Sequence, residues 1–202
     1  MTRQQINRFF QALSQQFDGE ATVIVTGAAA GTLFGSPRAS RDIDFAIHLR
    51  RRTPQRWQAV EEAIRRARAQ TRIDVNYAED IDRWGMITLL DYARHTHRYR
   101  RFGTIEVHTL DPVYWAIGKL TRYLHLDERD LVAALRRQRV PWVRAVRVWG
   151  RALRASHRSL AGFDFRRHVE HFLQSHGRTL WGASFDAQRA VSRFHREAGV
   201  IL

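Results

Sequence analysis

Two aspartates one residue apart, in Asp42-Ile43-Asp44-Phe45, and a third acid in Arg72-Ile73-Asp74-Val75-Asn76 are the residues of this chain best suited to chemistry. Asp42 and Asp44 alternate with apolar residues, so on a strand both carboxylates leave one face. Asp74 stands in a second apolar run and joins them if the two strands pair. Three carboxylates at one point repel each other unless cations lie among them. Two magnesium ions about 3.5–4 Å apart would neutralise that charge and clamp the attacking and leaving oxygens of a phosphoryl transfer. Asp-x-Asp by itself also occurs as a solvated turn former, so the surrounding order has to separate the two readings. Here an apolar strand, Val23-Ile24-Val25, runs into Thr26-Gly27-Ala28. A helical run follows, and Gly35-Ser36-Pro37-Arg38 returns the chain to Asp42. A glycine after a strand lets backbone N–H groups approach a phosphate, and the helix behind it offers a positive N-terminus.

The stretch from Thr26 to Asp44 resembles the minimal nucleotidyltransferases of the DNA polymerase beta superfamily, and within them the AbiEii-like, toxin-type group. There a Gly-Gly turn precedes Gly-x-Pro-Arg-x-[Ser/Thr]-x-Asp-x-Asp. This chain reads Gly35-Ser36-Pro37-Arg38-Ala39-Ser40-Arg41-Asp42-Ile43-Asp44. The resemblance extends over roughly residues 20–135. It implies that Asp42, Asp44 and Asp74 hold two Mg2+ ions and that Gly27 and Ala28 stand at the phosphate-binding pair. Ala28 is the departure, since it removes a glycine or a hydroxyl from the triphosphate turn. The resemblance also implies an NTP substrate, with Arg38 and Lys119 stabilising charge on the triphosphate. Its acceptor would be RNA, such as tRNA, and its setting a toxin–antitoxin pair with a cognate antitoxin protein. Two other readings accompany this one: a transferase that modifies a partner protein, as antitoxin-type members do, or a nucleotidyltransferase fold retired to RNA binding.

Lys119 also stands out by composition. It is the single lysine among 34 basic residues, which oppose 20 acids for a formal net charge of +14 and a pI near 11.4. An arginine-rich genome accounts for basic content without function. A lysine that persists where arginine fills every other basic position can instead be one whose compact ammonium is needed. It precedes Leu126-Asp127-Glu128-Arg129-Asp130-Leu131, whose acids resemble the family's acids there but equally suit a helix cap and first turn. The net charge favours a polyanionic partner, because neutralised phosphates release counterions. The absence of cysteine excludes disulfides and thiolate metal sites. Without an apolar run of about 20 residues or a signal peptide, the sequence suggests a soluble cytoplasmic protein without a membrane partner.

These residues need elements to position them. Apolar spacing predicts helices over residues 3–17, 28–34 and 54–69, and strands over 22–26, 43–49, 72–77 and 103–110. Thr53-Pro54 and Asp111-Pro112 are helix starts, and Glu61 is spaced to pair with Arg65. Residues 78–101 are ambiguous, with a short helix over 86–92 as the favoured reading. Beyond Leu124 only helices are expected, at about 128–138, 142–158, 164–175 and 186–197. The fold class is α+β: a small mixed sheet flanked by helices in residues 1–124, then an α-helical bundle in 125–202.

In helix 142–158, Arg144, Arg147, Arg151, Arg154 and Arg158 recur every three or four residues. Such a rail can follow a phosphate backbone, or be a solvated bundle face. Arg98, Arg100 and Arg101 can extend it. His168, His171 and His176, and the pair His95 and His97, lack the partners of a zinc site. The six tryptophans fall at core or interface positions.

Overall fold

The computed structural model describes residues 1–35 and 40–200. In chain order the elements are α1 (Arg3–Gln16), β1 (Ala21–Val25), α2 (Gly27–Phe34), β2 (Asp42–Leu49), α3 (Pro54–Thr71), β3 (Asp74–Ala78), β4 (Arg83–Trp84), β5 (Ile87–Thr88), a 3-10 turn (Tyr92–Arg94), β6 (Thr96–Phe102), β7 (Ile105–Leu110), α4 (Pro112–Arg122), α5 (His125–Arg137), α6 (Trp142–Ala155), α7 (Leu160–Trp181) and α8 (Ala187–Ala198). The class is α+β, as expected. Among the described residues no helix is long and apolar enough to cross a membrane.

The chain divides into two compact units. Met1–Ile81 with Ala93–Leu110 forms an α/β unit, and Asp82–Tyr92 with Asp111–Leu202 forms a helical unit. This division differs from a boundary at residue 124: α4 goes with the helices, and so does the small β4–β5 ribbon.

In the α/β unit five strands form one mixed sheet in the order β3-β2-β1-β7-β6. β1 runs antiparallel to β2 and parallel to β7, while β2 and β3 are parallel. Alternation along β2 sends Ile43, Phe45 and Ile47 to one face, where all three are buried. On that side Phe10 of α1 meets Phe45 edge-on at 5.7 Å, and Phe45 stacks on Tyr77 at 6.0 Å. Asp42 and Asp44 therefore leave the opposite face. Thr2 and Gln5 close a capping box at α1, and Thr53 caps α3 ahead of Pro54. Arg65 pairs with Glu62 rather than with Glu61.

Residues 78–101 depart most from expectation. In place of a helix over 86–92, Gly85 at φ +60° turns the chain between β4 and β5, pairing Trp84 with Ile87. β6 follows as an exposed, arginine-rich edge strand on β7, bulged between Arg98 and Arg100. Its apolar content is too low for a period to show in the sequence.

The helical unit is built around Trp149, which is fully buried and donates its indole N–H to the Val113 carbonyl at 3.0 Å. α6 turns Ala145, Val146, Trp149 and Ala152 into this core. Asp111 caps α4, accepting from the Val113 N–H at 2.9 Å. None of the six tryptophans is exposed; five stand on helices and Trp84 on β4.

Candidate functional site

The acid pair is built by the pairing of β2 with both its neighbours. The Thr26 N–H, at the end of β1, donates to the Asp44 carbonyl at 2.8 Å and fixes the start of α2 beside β2. In the parallel ladder with β3, Asp42 lies opposite Asp74 and Asp44 opposite Asn76. Neighbouring strand residues in register share a face, so all four side chains leave the sheet together. The Asn76 side-chain amide donates to Asp42 Oδ2 at 2.9 Å and to Asp44 Oδ1 at 3.0 Å. One donor nitrogen thus draws both carboxylates to a common point.

Gly27 makes room for this arrangement. Its φ is +57°, and a Cβ built on it would lie 2.0 Å from Asp44 Oδ2. Glycine is therefore required twice: by the backbone conformation and by the carboxylate seated where a side chain would be. The Asp44 carboxylate consequently lies against the first residue of α2, at the positive end of that helix. Ala28 follows at the second helical position and is half-buried. Arg38 lies outside the described residues.

Asp74 shares the face but is differently engaged. It is exposed, and Oδ1 accepts from Arg68 Nη2 of α3 at 3.1 Å. Among the described residues no group of three His, Cys, Asp or Glu side chains is arranged to hold a metal ion. The converging pair, Asp42 with Asp44, nevertheless suits Mg2+. That ion takes oxygen ligands and is commonly held by one or two carboxylates together with substrate phosphates.

Lys119 belongs to the helical unit, whereas the acids belong to the α/β unit. It is 5% exposed, and its ammonium donates to Asp127 Oδ1 at 3.0 Å and Asp130 Oδ2 at 2.8 Å, both buried. Arg122 adds a fork to Asp127 at 2.6 and 2.8 Å. Burial pushes the Asp127 carboxyl up, but the bonds from Arg122 and Lys119 outweigh it and hold the group below the usual carboxylate range. Asp127 is also in the first turn of α5 and accepts from the Leu124 N–H at 3.2 Å. The lone lysine is thus a buried cation between two buried acids, and Lys119→Arg is expected to perturb packing.

The arginine rail is shorter than the sequence suggested. α6 ends at Ala155, so Arg158 lies beyond it in the connection to α7. Arg144, Arg147, Arg151 and Arg154 are exposed along α6. Arg144 is engaged, donating to Asp111 Oδ2 at 2.7 Å. Arg98, Arg100 and Arg101 lie on β6, in the α/β unit.

Asn76 was legible but not singled out. It stands two residues after Asp74, on the same face of the same strand, and a period-2 reading extended from acids to amides would have found it. In comparisons with known proteins no family model matches this chain, and no curated protein or solved structure does either.

Proposed function

We propose that this chain is a magnesium-dependent nucleotidyltransferase with a nucleotidyltransferase fold, moving a nucleoside monophosphate from an NTP to an RNA acceptor. The observation that carries the reading is the pair Asp42 and Asp44, gathered by Asn76 and seated against Gly27, where even a methyl group has no room. In the reaction an acceptor hydroxyl oxygen forms a bond to the α-phosphorus of the NTP. The bond from that phosphorus to the bridging oxygen breaks, and pyrophosphate leaves. Asp42 and Asp44 would hold magnesium, which when bound would supply positive charge to offset the charge on the attacking and leaving oxygens. Asp74 would complete the ligand set once its carboxylate leaves Arg68, and would then favour loss of the acceptor's proton. The α2 N-terminus at Gly27 and Ala28 presents backbone N–H groups toward β- and γ-phosphates. Arg38 remains proposed as a positive charge for the triphosphate, whereas Lys119 is engaged by Asp127 and Asp130 within the helical unit. Catalysis of this kind is mainly positioning and electrostatics. The net charge of +14 and the exposed Arg147, Arg151 and Arg154 support an RNA acceptor. A toxin's role beside a cognate antitoxin stays with the family resemblance.

Two observations favour a second reading, a retired fold that binds RNA without transfer: Asp74 pairs with Arg68, and Ala28 stands where the resembled family has a glycine or a hydroxyl. Incubation with each labelled NTP, magnesium, total RNA and a bacterial extract separates the cases. Label on RNA supports the proposal, label on a protein shifts the acceptor to a partner, and no label with RNA still bound supports the retired fold.

A further inference from the structure

α7 begins with an exposed aromatic ring beside two arginines. Ser159 caps the helix, accepting from the Gly162 N–H at 3.2 Å. Leu160 and Phe163 of the first turn are 76% and 46% exposed. The cations of Arg166 and Arg167 lie 5.1 and 5.8 Å from the Phe163 ring centroid. Arg166 also lies 3.4 Å from Glu170, leaving Arg167 as the more exposed charge. The acids nearby are Asp164 and Glu170, the latter bonded to His195 at 2.6 Å. The corner joins the end of α6: Leu153 Cδ1 lies 3.5 Å from the position of a Cβ on Gly162. Exposed Arg154 and Arg158 sit on this same stretch of chain.

An exposed aromatic flanked by guanidinium groups is the composition of a stacking platform for nucleic acid. Bases stack on aromatic faces with little regard to sequence, while arginines track the phosphates. A duplex cannot use such a platform, because its bases are already stacked. A lipid surface would call for a wider apolar face than two residues. We propose that Phe163, with Arg166 and Arg167 beside its ring, is a stacking post for an unpaired base of single-stranded RNA whose phosphates run along Arg154 and Arg158. The proposal rests on the RNA reading above, but its experiment reads binding and not transfer, so an inactive site at Asp42 and Asp44 leaves its outcome intact.

The test is fluorescence anisotropy of the full chain with a short unstructured oligouridylate, across a salt series. Phe163→Leu keeps an apolar side chain but removes the ring face. It should weaken binding about five- to hundredfold without changing the salt slope, and Phe163→Trp should restore it. Replacing Arg154 and Arg158 by Gln should lower the log–log slope by about 0.7 for each phosphate no longer neutralised. A fluorescent base analogue in the oligonucleotide should lose its stacking signal only in Phe163→Leu. Unchanged affinity in folded Phe163→Leu would overturn the proposal. So would an equal loss for blunt duplex RNA, or binding to anionic vesicles in place of RNA.

Discussion

Gly27→Ala is the sharpest perturbation of the candidate site. The added Cβ would lie 2.0 Å from Asp44 Oδ2, and side-chain carbons do not approach other atoms closer than 3.0 Å. The carboxylate, or the start of α2, must therefore yield by at least about 1 Å. Alanine at φ +57° adds about 1–2 kcal/mol of backbone strain. A misplacement of about 1 Å in reacting groups can cost on the order of a hundredfold in rate, which corresponds to about 2.7 kcal/mol of transition-state stabilisation. Gly85→Ala is the control. Its φ is +60°, but no atom lies within 4 Å of the new Cβ. Gly27→Ala should lose at least as much stability as Gly85→Ala in urea titrations, and only Gly27→Ala should lose label transfer. The rise in unfolding temperature on adding magnesium gives a second readout that needs no acceptor, and it should shrink in Gly27→Ala alone. Full transfer and full magnesium response in Gly27→Ala would refute the placement of Asp44 in the site.

Replacing Asp42 and Asp44 together by Asn should abolish transfer and the magnesium response while leaving stability equal or slightly higher, since two neighbouring negative charges are removed; a double variant with parental activity would sink the metal assignment. Lys119→Met should destabilise the helical unit by about 3–5 kcal/mol, because it removes the ammonium that two buried acids, Asp127 and Asp130, share, and Lys119→Arg by about 1–3 kcal/mol through overpacking; unfolding at neutral pH measures both. Asp127 has a depressed folded pKa, so its contribution is full well above the unfolded value near 3.9 and is lost as pH falls from there through the folded pKa; urea midpoints from about pH 5 down to about pH 2 should show a decline that Asp127→Asn lessens. Arg147→Gln, Arg151→Gln and Arg154→Gln should each lower the salt slope of RNA binding by about 0.7 with little change in stability, whereas Arg144→Gln should also destabilise the fold, since it removes a partner of buried Asp111; equal stability in Arg144→Gln and Arg147→Gln would contradict that ion pair.

Sequence alone determined the local parts of this protein. Alternation placed Asp42 and Asp44 on one face of β2, because side-chain direction in a strand depends only on parity. Thr53-Pro54 and Asp111-Pro112 marked helix starts, because caps are made within one turn. Tertiary structure decided what depends on partners distant in the chain. The register of β2 with β3 put Asn76 between the two acids and left Asp74 to Arg68, and a ladder offset by one residue would have turned that face away. Gly27 is read from sequence as a turn residue, but its need for empty space comes from Asp44, which only strand pairing brings there. Lys119 reads as a candidate phosphate ligand until α4 and α5 enclose it with Asp127 and Asp130. Burial makes those acids its partners, and burial is a property of packed helices that no spacing along one helix can state.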